Sequence, residues 1–244
     1  MRVLVPGFSP AACGLRFVNS FPHEPDREVD LPPPFGKIKI GAAATGLCGG
    51  MGFTVADLFA AGSPPPEDPD APDAGTERFD YLVDRQIDSL DSGRLPLRFY
   101  SLMSPLRPER EGPVAGIDDS RTYVMVHLEW PKIKADLDQG HLVMIGLVKV
   151  VSADPRDLNH NHQVIAYGYD LDGSDLRLLI LDPNVPRREI ALRLDISDAR
   201  GETTVTYGTT DTPQSFSDTS VVCFFQYRYA SRDPAPWAES HRND

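Results

Sequence analysis

The stretch Gly46-Leu47-Cys48-Gly49-Gly50-Met51-Gly52-Phe53-Thr54-Val55-Ala56-Asp57-Leu58-Phe59 sets a cysteine among glycines at the mouth of an apolar run. Met51, Val55, Leu58 and Phe59 recur at helical spacing, which predicts a helix from Cys48 to about Ala61. Glycines beside Cys48 let the backbone approach a ligand closely, and the helix start offers amide donors and the positive end of a dipole. A thiol in that setting is a candidate nucleophile, because the thiolate is the reactive form and a helix N-terminus favours it.

Working outward, residues 1–47 are rich in Pro and Gly, with short apolar pieces at Leu15–Asn19 and Lys37–Ile40 that predict isolated strands or extended segments in a lead-in. Gly62 to Thr76 carries five prolines and four acidic residues and must be an exposed loop. Phe79, Leu82, Val83, Ile87 and Leu90 predict a second amphipathic helix ending near Gly93. Pro105 to Gly116 is a further Pro-rich loop. Ser120–Trp130 fits alternation nearly as well as helical spacing and is taken as helix, and Pro131 opens a short helix over Lys132–Asp138.

From His141 the pattern turns to β. Leu142–Val150 and His162–Tyr169 read as buried strands, and Asp172-Gly173-Ser174 turns the second into Leu176–Asp182. Glu189–Leu194, Thr203–Tyr207 and Val221–Tyr229 complete the set. Helices first and strands second, without βαβ alternation, predict an α+β fold. The expected organisation is one domain over 1–244: lead-in 1–47, mainly helical half 48–140, antiparallel β half 141–230 and tail 231–244.

Composition narrows the function. A net charge of −12 opposes nucleic-acid and anionic-membrane partners. No apolar run approaches the roughly 20 residues that would span a bilayer. Met1–Gly7 lacks the apolar stretch of a secretory signal, so a cytoplasmic protein is expected. Three cysteines, Cys13, Cys48 and Cys223, do not suit a disulfide framework.

Two more blocks carry chemistry. Asn159-His160-Asn161-His162-Gln163 opens into a strongly apolar strand, which makes His162 the better general-base candidate and leaves His160 in the loop. Leu181-Asp182-Pro183-Asn184 ends a strand 20 residues later, where either Asp182 or Asn184 could orient an imidazole. The letters of His160-Asn161-His162 match a nuclease motif, but a long apolar strand follows instead of a metal-binding ββα unit. No Cys-x-x-Cys or His-x-x-x-His set accompanies them, so no metal and no cofactor is expected.

Taken together, Gly46–Met51, His162–Tyr169 and Leu181–Asn184 resemble the cysteine, histidine and third-residue blocks of papain-like peptidases, nearest to the bacteriocin-leader-processing bacterial branch. The resemblance covers residues 46–184. It implies a papain-like fold with the cysteine helix packed on the β half. It further implies Cys48 as nucleophile, His162 as general base and acid, and Asp182 as orienting residue with Asn184 as substitute.

The implied reaction is attack on a peptide, amide or ester, passing through a thioester. One position departs: the glutamine that such peptidases carry six residues before the cysteine is Ala42 here. Losing an oxyanion donor costs on the order of 10²- to 10³-fold in rate, and Thr45 or a backbone amide near Gly46 could supply one instead. Gln163 could also serve, but on an alternating strand it should point away. The competing class is a catalytically weak papain-like binding module. Substrate identity and oligomeric state are not written in the sequence.

Overall fold

The computed structural model describes residues 1–21, 26–41, 46–110, 120–210, 216, 218–234 and 237. They form a mixed helix-and-sheet protein of two compact units that interleave along the chain. One comprises residues 1–7, 97–180 and 189–227, and the other 8–96, 181–188 and 228–244. Among the described residues no helix is long and apolar enough to cross a membrane.

The first unit is built on a sheet. Its strands are β1 (Arg2–Leu4), β4 (Val143–Val148), β5 (His162–Asp172), β6 (Asp175–Leu181), β7 (Ile190–Asp195), β8 (Thr206–Thr209) and β9 (Cys223–Tyr227). The order is β8-β7-β6-β5-β4-β9. At 11 residues, β5 is long enough to seat two partners along its length. β4 pairs with His162–Ala166 and β1 with Gly168–Asp170. The Asp172-Gly173-Ser174 turn joins β5 to its neighbour β6, with Gly173 at φ +58°, where a side chain would be strained.

Helix α4 (Arg94–Met103), which enters this unit at Leu97, carries Pro96 in its first turn, where the missing N–H costs nothing. Phe99 of α4 meets Phe225 edge-on at 4.9 Å, and Trp130 of α5 (Trp130–Asp138) meets Tyr169 at 5.1 Å. Residues Tyr123–Glu129, where alternation and helical spacing compete, wind as a π-helix leading into α5. Pro131 explains the wide turn. It cannot donate, and its ring crowds the carbonyl four residues earlier, so the preceding turn opens until Trp130 N–H reaches Met125 O, five residues back.

The second unit centres on α2 (Cys48–Ala60) and α3 (Glu77–Ser89), with the short helix α1 (Pro10–Cys13) and the hairpin of β2 (Arg27–Leu31) with β3 (Gly36–Ile40). The Lys37–Ile40 strand is thus present, whereas Leu15–Asn19 forms no strand. Leu15, Phe17 and Phe21 are instead individually buried and pin an irregular segment, Phe17 against Phe21 and Phe21 against Phe79. The loop 62–76 is largely exposed, as its prolines and acids require. Helix α2 is buried on every side from Cys48 to Leu58, so it is a central helix and not an amphipathic surface one.

That burial makes its one charge expensive. The Asp57 carboxylate, 1% exposed, accepts from Tyr81 Oη at 2.9 Å, Tyr229 Oη at 2.7 Å and Arg232 N–H at 2.9 Å, and pairs with Arg85 Nε at 2.8 Å. Burial, with the carboxylate beside them, pushes both phenols upward in pKa and keeps them protonated donors. Arg85 also lies 4.7 Å over the Phe53 ring. Removing Asp57 takes from the buried Arg85 guanidinium the carboxylate facing its Nε and Nη2 and leaves it Asp88 and Ala230 O. Asp57→Ala is expected to cost about 3–5 kcal/mol in urea unfolding, and a loss under about 1 kcal/mol would show that water can replace the carboxylate.

Candidate functional site

Cys48 is the first residue of α2 and is buried, with Leu47 as N-cap. The capping residue offers no side-chain bond, so the first-turn amides need other partners. Gly50 N–H finds one in Gln86 Oε1 of α3 at 2.9 Å. The amides of Cys48 and Gly49 have none among the described residues. They are two helix-start donors beside the thiol.

The glycines around the cysteine have packing tasks. A Cβ on Gly50 would lie 2.2 Å from Leu82 O, so Gly50 lets α3 come against α2. Gly46 sits at φ +59°, and a Cβ there would lie 2.6 Å from Asn19 Nδ2. The absent side chain is replaced by the Asn19 carboxamide.

Asn19 is the residue the sequence did not reveal. Its Oδ1 accepts from Leu47 N–H at 2.7 Å, and its Nδ2 donates to Asn184 Oδ1 at 3.1 Å. Its own N–H donates to Pro183 O at 3.2 Å, and Ser20 N–H closes a tight turn on Val18 O at 2.7 Å, setting Asn19 at the apex. The entry to the cysteine helix is therefore braced against the Asp182–Asn184 turn by one carboxamide. The available signal was an asparagine two residues from each of two phenylalanines, Phe17 and Phe21, both buried.

Asp182 is 3% exposed, and its Oδ1 accepts from Asn184 N–H at 2.7 Å while Val185 N–H returns to Asp182 O. This is a turn held by its aspartate. A crevice of about 10 Å³, room for a single water, lies between Asp182, Pro183, Met51 and Val55. Asn184 is exposed, and its side-chain oxygen is the one that holds Asn19.

In the sheet unit, His162 heads β5, 7% exposed, opposite Leu147 of β4. Asn161 fixes the strand entry, accepting from Lys149 N–H at 3.0 Å and donating to Leu158 O at 3.2 Å. Alternation puts Gln163 on the face covered by Phe99 and Trp130 and His162 on the other, so Gln163 does not share the imidazole's side. His160 is exposed beside Asp157, at 3.5 Å, as a loop residue should be. Ala42 and Thr45 lie outside the described residues.

Among the described residues no cluster of His, Cys, Asp or Glu is arranged to hold a metal ion. No family model matches the sequence, and neither a curated protein nor a solved structure matches it.

Gly46→Ala is expected to force Asn19 from its seat and to cost about 1–3 kcal/mol, because both the left-handed backbone and the 2.6 Å overlap must relax. Hydrogen exchange of the Leu47 amide should rise in parallel. Unchanged exchange would mean that the brace does not depend on this glycine.

Proposed function

We propose that the protein is a cysteine-dependent hydrolase or acyl transferase of papain-like type, with Cys48 as nucleophile, His162 as general base and acid, and Asp182 orienting the imidazole. The observation that carries this reading is the buried thiol at the first residue of α2 beside two amides, those of Cys48 and Gly49, that have no partner among the described residues. Such donors stabilise charge as it develops on a carbonyl oxygen. In this account Cys48 Sγ attacks the carbonyl of a peptide, amide or ester. His162 takes the thiol proton and returns it to the leaving group, and the thioester passes to water or another acceptor.

The reading extends to a protein at work in the cytoplasm, where thiols stay reduced. A second reading, a papain-like binding module without turnover, is favoured by Ala42 at the usual glutamine position. Under it, Cys48→Ala keeps both ligand binding and cellular phenotype.

The three cysteines provide the test, since all are free thiols. Cys223 is fully enclosed, and burial pushes its thiol up to about 12, which leaves it almost entirely protonated at neutral pH. Iodoacetamide followed by peptide mass spectrometry is expected to modify Cys48 faster than half-buried Cys13 and much faster than Cys223, with the Cys48 rate falling in His162→Ala. Equal labelling of Cys48 and Cys13 would remove the nucleophile.

A further inference from the structure

The helical unit contains a cavity of about 340 Å³ that the chemistry proposed for Cys48 does not use. One side of it is Phe53 of α2, Arg85 and Asp88 of α3, and Asp91 just beyond that helix. The other is the exposed end of the chain from Arg228 to Arg232.

Much of the charge around this cavity is already answered. Arg85 faces Asp57, donates to Asp88 Oδ2 at 2.7 Å and to Ala230 O at 2.8 Å, and lies over the Phe53 ring. The groups left over fall into two kinds. Arg228 and the Ser231 hydroxyl have no partner among the described residues, and Arg232 is shared loosely between Asp84 at 3.5 Å and Asp88 at 3.7 Å. A guanidinium carries five N–H donors, so this side has positive charge and donors to spare. Facing it, the Asp91 carboxylate meets only Arg94, at 3.7 Å, beyond a good hydrogen bond. Asp91 and Ser92 are both left-handed, φ +46° and +54°, in the turn between α3 and α4.

The cavity thus offers free donors on one side, a free carboxylate on the other and apolar surface from Phe53 and Ala230 between them. A bare inorganic anion suits it poorly. Such an ion would leave most of the space to water, and a chain of net charge −12 repels it at long range. A zwitterion has no net charge to repel and satisfies both sides. The volume lies at the small end of ligand sites, which run from about 300 to 1,000 Å³. We infer that this cavity binds a free apolar α-amino acid. Arg228, Arg232 and the Ser231 hydroxyl take its carboxylate, Asp91 takes its ammonium group, and its side chain lies toward Phe53 and Ala230. This inference does not depend on the reading of Cys48.

Calorimetric titration of the full-length protein tests it, with L-leucine, L-methionine and L-phenylalanine as probes beside the N-acetylated and amidated form of each. At least one free amino acid is expected to bind saturably at millimolar concentration or below. Acetylation removes the cation and amidation the anion, and each is expected to weaken binding on the order of tenfold or more. Arg228→Gln should weaken the free amino acid by a similar factor and leave the amidated form unchanged. Asp91→Asn, whose new side chain tolerates the left-handed backbone, should weaken the free amino acid and leave the acetylated form unchanged. Both variants are expected to melt with wild type, since neither side chain is buried. No saturable binding of any of the three would overturn the assignment. So would equal affinity for free and acetylated forms, or wild-type binding by both variants.

Discussion

A carboxylate sealed inside a protein has to be surrounded by donors, and Asp57 imposes that condition on the helical unit. Its donors come from Tyr81 and Arg85 on α3 and from Tyr229 and Arg232 near the chain's end. They meet at one point on α2, so the rotation of that helix is set by hydrogen-bond geometry as well as by apolar packing. Arg85 in turn donates to Ala230 O at 2.8 Å, tying the late segment back to α3. With the helix fixed in this way, its first residue, Cys48, has little freedom to move.

The opposite end of α2 is fixed by neutral groups. Asn19, Leu47 and Asn184 form a chain of hydrogen bonds, seated over Gly46, around a helix start that has no capping side chain of its own. Gln86 adds a third brace through Gly50. A nucleophile gains from this arrangement, because a site held rigidly by supporting bonds does not have to be reordered at the moment of reaction. The same glycines that suggest close approach by a ligand turn out to admit a neighbouring helix and a carboxamide.

Much of the fold was legible locally. Cys48 to Ala60 follows from glycine punctuation and apolar spacing, and β5 and β6 follow from two apolar runs about an Asp-Gly turn. The burial of α2 on all sides was not legible, because a helical period of apolar residues does not say how many neighbours surround it. Leu15–Asn19 has the alternation of a strand but anchors two separate side chains, Leu15 and Phe17, a choice made by partners elsewhere in the chain. Helix α4 was hidden by Pro96, which reads as a breaker unless the first turn is known. As candidates, Cys48, His162 and Asp182 could be named from residue type and position. Asn19 could not, since its partners stand 28 and 165 residues away.

The central claim is that Cys48 performs covalent chemistry on a carbonyl. Its most direct measurement is turnover of a defined library of peptides, amides and esters, followed by liquid chromatography and mass spectrometry, with wild type and Cys48→Ala side by side. The account predicts that the wild-type protein consumes a subset of the library and that Cys48→Ala, folded and melting at a similar temperature, consumes none of it. Equal product profiles from the two proteins, or no turnover by wild type while both bind the same ligand, would contradict it.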